Sequence, residues 1–73
     1  MSKKAITFQK KFGERLKELR LSKNLSQLEL SINCDLEKTA ISRIENGRTN
    51  VTLKTIVVLS KALEVEVKEL FDF

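Results

Sequence analysis

From Phe8 onward, apolar residues recur with helical spacing. Phe8, Phe12, Leu16 and Leu19 stand four, four and three residues apart on one helical stripe, while Lys10, Lys11, Lys17 and Glu18 fill the other face. Gly13 interrupts this helix at a cost of up to about 1 kcal/mol relative to Ala, which points to the close approach of another backbone. Asn24, which tolerates the left-handed conformation, ends it. Ser26-Gln27-Leu28-Glu29 then has the S-x-x-E form of a capping box, in which the Ser hydroxyl accepts a backbone N–H and the Glu reaches back. Leu25 and Leu30 flank it as a hydrophobic staple, and the same five-residue interval returns as Leu36/Ile41, Val51/Ile56 and Val65/Leu70. Glu37, Thr52 and Glu66 fall in the three further cap positions. The two glutamates are poorer caps than Ser or Thr, yet their charge suits a helix N-terminus. Asn46-Gly47 is a stop signal, and Arg48-Thr49-Asn50 is too polar for a core.

These starts and stops predict an all-α chain of five helices over residues 7–23, 26–33, 37–45, 52–63 and 66–71, with no strand. Helices this short are not stable alone, so they must pack as a five-helix bundle. Its expected core is Phe12, Leu16, Leu19, Leu30, Cys34, Leu36, Ile41, Ile44, Leu53, Ile56, Leu59, Leu63, Val65 and Leu70. Seventy-three residues leave room for one such domain, expected over 7–73, preceded by a basic arm at 1–6.

Composition narrows the function. Apolar residues make up 41% and charged residues 33%, a globular balance rather than the signature of disorder. No apolar run approaches a membrane span and the start carries no signal-peptide pattern, so a cytoplasmic protein without membrane contact is expected. Cys34 is the only cysteine and histidine is absent, which removes internal disulfides, thiolate clusters, Cys-His pairs and His-based triads. With no Gly-rich phosphate loop either, the expectation is a non-enzyme without metal or cofactor. Residues 1–24 carry +6 and the remainder −2 of the net +4. A basic amino-terminal part fits either phosphate contacts or a solvated helix face.

The second and third helices, joined by Cys34-Asp35-Leu36, form the arrangement of a helix-turn-helix. On a wheel for the third, Ala40, Ile41 and Ile44 share one arc, while Lys38, Thr39, Ser42, Arg43 and Asn46 share the other. No acid interrupts Lys38 to Arg43, and the face ends beside Arg48 and Thr49. It can be an ordinary surface or a face for the major groove, where Arg and Lys donate to guanine and Thr or Ser contact base edges.

From Phe12 to Phe71, through FGERLKELR, LSQLEL, ISRIENGR and KALEV, the sequence resembles the Cro and phage-repressor (XRE) family of helix-turn-helix regulators. Within it, RTNVTLKTI is most similar to the controller proteins of restriction-modification systems. The resemblance implies a phage-repressor-like bundle that binds double-stranded DNA and regulates transcription. It implies that Lys38, Thr39, Ser42 and Arg43 read bases and that Gln27, Asn46, Arg48 and Thr49 grip phosphates. It also implies an Arg20–Glu45 ion pair between the first and third helices. Plainer readings stand beside these: Gln27 as a solvated first helical residue, and Asn46-Gly47 as a helix stop. Two positions depart from the family pattern, Ser31 for a small Ala and Asp35 for the turn Gly; Ser is small and Asp enters the left-handed region. Leu28 and Ile32 are apolar where the family is polar, either as scattered surface residues or as the edge of a partner patch.

A homodimer on an inverted-repeat operator is the expected assembly. The fourth helix carries Val57 and Val58 beside the inward Ile56 and Leu59, and the chain ends Glu69-Leu70-Phe71-Asp72-Phe73, which leaves aromatic surface for a partner copy. The resemblance points to the same two helices. Alternatively, Phe71 and Phe73 fold back over the first helix against Phe8. The leading function is sequence-specific duplex DNA binding by a transcriptional repressor or controller. The alternative is a helix-turn-helix used for protein contacts, as in an antitoxin or adaptor.

Overall fold

In the computed structural model, which describes residues 3–73, the chain forms α1 (Lys3–Ser22), α2 (Gln27–Cys34), α3 (Lys38–Glu45) and α4 (Leu53–Leu63), followed by a 3-10 helix over Val67–Phe71. No strand occurs among the described residues, and no helix there is long and apolar enough to cross a membrane. Three of the four caps act through their neighbours as their spacing predicts. The Ser26 hydroxyl accepts the Glu29 N–H at 3.0 Å while the Glu29 carboxylate accepts the Ser26 N–H at 2.9 Å. Thr52 accepts the Thr55 N–H at 3.2 Å, and Glu69 accepts the Glu66 N–H at 2.8 Å. Glu37 caps without a side-chain hydrogen bond, as its poor cap chemistry predicts.

Two boundaries differ from expectation. Helix α1 begins at Lys3, so residues 3–6 of the expected arm are its first turn; Met1 and Ser2 lie outside the described residues. Once the stripe fixes a helix, adding a turn costs little, and Thr7 Oγ1 secures this one by donating to the Lys3 carbonyl at 3.0 Å. The fifth helix is 3-10 rather than α, which corrects the five-α-helix expectation: five residues offer too few i→i+4 bonds to favour the wider coil.

The core unites α1 (Phe12, Leu16, Leu19), α2 (Leu30, Cys34), α3 (Ile41, Ile44), α4 (Leu59, Leu63) and Leu70. Staple partners Leu25, Leu36, Val51, Ile56 and Val65 pack around it. Leu53, expected in the core, is instead 74% exposed. It is the first residue of α4, where Val51 and Ile56 already cover the inner side. Phe8, at the outer end of the α1 stripe, is half exposed because its helix runs past the bundle there. Burial raises the Cys34 thiol above its ordinary pKa, consistent with a packing rather than a reactive role.

Two glycines let α1 meet the end of α3. A Cβ on Gly13 would lie 2.3 Å from the Ile44 carbonyl oxygen and 2.6 Å from that of Glu45, so only a hydrogen fits. Gly47, at φ +69°, rests on Lys10, whose Cα would be 2.8 Å from a Cβ.

Candidate nucleic-acid interface

Both departures from the family pattern are absorbed locally, Ser31 within α2 and Asp35 in the turn after it. Asp35 adopts φ 56°, ψ 42°, and the Leu36 N–H returns to the Ser31 carbonyl at 2.9 Å, which closes the left-handed cap without glycine. Ser31 is buried, and its hydroxyl donates to the Leu28 carbonyl at 2.6 Å, so a polar side chain sits at the helix contact with its donor satisfied.

Helix α3 divides as its wheel predicts. Ile41, Ile44 and Glu45 are buried and Ala40 half-buried, whereas Lys38, Thr39 and Arg43 are exposed and Ser42 half-buried. Among the described residues, Lys38, Arg43 and Arg48 form no ion pair. Thr39 donates to the Glu37 carboxylate at 3.4 Å, a long bond on an exposed residue. Asn46 folds back on its own helix, its amide donating to the Ser42 carbonyl at 2.8 Å and the Ser42 hydroxyl at 3.4 Å. The Arg48 N–H closes the following turn on the Arg43 carbonyl at 2.9 Å, and Arg43 and Thr49 line one hollow with Ala40 and Thr55. Asn46 is thereby brought onto Ser42, and Thr49 beside Arg43.

Behind that surface lies a buried ionic clamp. Arg20 Nε and Nη2 donate to the two Glu45 carboxylate oxygens at 2.6 and 3.1 Å, and Nη1 donates to the Leu25 carbonyl at 2.7 Å. The two side chains are 7% and 3% exposed. A bidentate pair this dry tolerates burial because every strong donor and acceptor is matched. Gln27, the first residue of α2, joins it: its amide donates to Glu45 Oε1 at 3.0 Å. One carboxylate thereby ties together α1, α2 and α3. The sequence pointed to Arg20 and Glu45 only through a family resemblance, and nothing in it pointed to the bond from Gln27.

The carboxyl-terminal rings follow the fold-back alternative. Phe71 lies 5.1 Å from Phe12 and 6.1 Å from Phe8, and Phe73 lies 5.1 Å from Phe8, measured between ring centroids. The pair nevertheless leaves Phe8 51% and Phe73 49% exposed. Val57 and Val58 are half-buried, Val58 against the core. Leu28 and Ile32 project outward from α2. Arg15, which the helical pattern marks only as a surface residue, donates to the Glu69 carbonyl at 2.8 Å and faces Glu18 and Asp72 at 3.5 and 3.9 Å. It fastens the 3-10 helix to α1 across 54 residues of sequence, a separation that periodicity does not register.

Comparison with known proteins extends the geometry. A profile of the helix-turn-helix family HTH_3 matches residues 16–70. The chain is 51% identical over 63 residues to control protein C.BamHI of Bacillus amyloliquefaciens, covering 85% of this chain and 78% of that protein. It is 42% identical over 63 residues to control protein C.MunI of a Mycoplasma species, covering 85% of each. The crystal structure of the restriction-modification controller protein C.AhdI from Aeromonas hydrophila superposes with a TM-score of 0.85 at 43% identity, over 86% of this chain and 96% of that one.

Proposed function

We propose, given that this chain belongs to the HTH_3 helix-turn-helix family and is a DNA-binding transcriptional regulator of the control-protein type, that it recognises one duplex sequence as a two-fold dimer. Its target is then a promoter of a restriction-modification system, a reading supported by its similarity to a restriction-modification controller protein. The observation that carries this reading is the outer face of α3, where the free charges of Lys38 and Arg43 stand beside the hydroxyls of Thr39 and Ser42. Lys38 and Arg43 donate to guanine O6 and N7, and the hydroxyls meet base edges or a thymine methyl. Gln27, Asn46, Arg48 and Thr49 hold the flanking phosphates and set the register. Gln27 keeps one amide N–H for this purpose after the other is used on Glu45.

The dimer is formed by α4 and the carboxyl-terminal segment. Leu53, 74% exposed, lies one helical turn before Val57 on the outer side of α4, and Phe73 remains half exposed after folding back. A second copy covering these residues, with Val58 and Phe71 beneath them, removes that surface from water. The two recognition helices then meet half-sites about 34 Å, or roughly 10 base pairs, apart on an inverted repeat.

The test is selection of bound duplexes from a random pool, followed by titration of matched and scrambled duplexes. Lys38→Ala and Arg43→Ala are expected to lose roughly 1 to 3 kcal/mol on the matched duplex only, and Gln27→Ala and Arg48→Ala to lose on both. Equal losses on both duplexes for Arg43→Ala would remove that residue from base reading. Feeble binding without sequence preference would leave a helix-turn-helix used for protein contacts.

A further inference from the structure

The first turns of α1 and the last residue of the chain enclose an open-sided hollow of about 500 Å³, lined by Lys3, Lys4, Thr7, Phe8, Lys11 and Phe73 and by no residue of α2 or α3. Its apolar wall is the pair Phe8 and Phe73, whose rings meet edge to face at 5.1 Å and stay 51% and 49% exposed. The fold brings these rings together without covering either. Lys4, Phe8 and Lys11 stand at i, i+4 and i+7 on one helical face, so two lysines flank the Phe8 ring about 10 Å apart along the helix axis. Lys3, Lys4 and Lys11 are exposed, none forms an ion pair among the described residues, and no acid lines the hollow. The first turn of α1 also lacks an acid, so Lys3 and Lys4 stand against the positive end of their own helix dipole. An anion seated among them relieves both repulsions. A hollow of this size, with apolar walls and a few charged groups of one sign, has the make-up of a small-molecule site.

We propose that this hollow binds a small monocarboxylate with an apolar body, its carboxylate held between Lys4 and Lys11 with Lys3 beside them and its body laid against the Phe8 and Phe73 rings. A wholly apolar ligand leaves the ammonium groups unpaired, and an anion without an apolar part leaves the rings in water, so the mixed wall selects an acid that carries both. Binding requires neither α3 nor a duplex and goes beyond the DNA-binding reading. The competing occupant is a second copy of the chain, since the proposed dimer also covers Phe73.

The experiment titrates the isotope-labelled full chain at neutral pH and follows its amide resonances, with 3-phenylpropionate as the probe and 3-phenylpropanamide and acetate for comparison. The acid is expected to give saturable shifts confined to residues 3–11 and 71–73, the neutral amide to bind there about tenfold more weakly, and acetate to give no saturable shift. Lys4→Gln/Lys11→Gln is expected to weaken the acid about tenfold and to leave the amide unchanged, a difference that a merely structural effect would not produce. Phe73→Ser is expected to weaken both. Lys23→Gln/Lys61→Gln removes the same charge from residues that do not line the hollow and is expected to change neither. Thermal melts check that each variant stays folded. Equal affinity for acid and amide, an unchanged acid affinity in Lys4→Gln/Lys11→Gln, or shifts centred elsewhere would overturn the proposal. So would the absence of any saturable shift together with a change in sedimentation of Lys4→Gln/Lys11→Gln, which would assign the hollow to a second copy.

Discussion

Two regions of this small bundle are finished to different degrees. Around the helix-turn-helix the Arg20–Glu45–Gln27 clamp is dry and matched, Ser31 is satisfied within its own helix, and the glycine contacts fix α1 against α3. Around the carboxyl terminus Phe8 and Phe73 meet edge to face half in water, Leu53 on α4 faces solvent, and a five-residue 3-10 helix closes the fold. The helices behind the outer face of α3 are locked together by matched bonds, whereas the carboxyl-terminal region retains exposed apolar surface. Matched bonds are concentrated behind the face proposed to enter a groove, and exposed apolar surface where association is proposed.

The sharpest way to break this contrast is at the clamp. Arg20→Met leaves a buried carboxylate without its partner and is expected to destabilise the fold by about 3 to 5 kcal/mol in urea titration. A double-mutant cycle with Glu45→Leu is expected to give coupling well above the 0 to about 1 kcal/mol of exposed pairs. Coupling near zero would make the two regions equally loose. Next in size is Gly13→Ala, which drives a methyl into two backbone carbonyls and is expected to cost about 3 kcal/mol, the upper range for overpacking, despite alanine's better helix propensity.

In the carboxyl-terminal region the expected effects on the monomer are small. Leu53→Ser/Phe73→Ser is expected to change monomer stability by less than about 1 kcal/mol, because surface substitutions remove little that is buried. The same pair is expected to shift sedimentation equilibrium from dimer to monomer. An unchanged dimer would move the association surface elsewhere, and Leu28 with Ile32 on α2 is the next apolar patch. The smallest expected effect is the pH dependence of the α2 capping box. The Ser26 backbone N–H, and secondarily its hydroxyl, hold the Glu29 carboxyl below its ordinary pKa. A depressed folded value means stability that is fully present above the ordinary glutamate range and lost as pH falls through the folded value. Glu29→Gln is expected to flatten that acid limb in melts recorded from neutral pH downward, with little change at neutrality.

The sequence by itself determined where the last four elements start. Four repeats of one apolar interval with a cap residue inside it, at Ser26, Glu37, Thr52 and Glu66, correspond to the four N-caps observed, because capping and stapling are local chemistry spanning about one turn. The division of α3 into an inner and an outer face was legible for the same reason, since a wheel needs only spacing. Glu64 in the left-handed region at the end of α4 was not legible, because no residue type announces it; the Val65 N–H to Ser60 carbonyl bond and the burial of Val65 beyond it hold it there. Only the tertiary structure decided that Leu53 faces out, that Phe71 and Phe73 turn onto α1, and that Gln27 shares a carboxylate with Arg20. Each depends on what another helix already occupies or offers, between 18 and 65 residues away for the last two. Spacing along one helix specifies which side of it is apolar, and the packed neighbours specify how much of that side is covered.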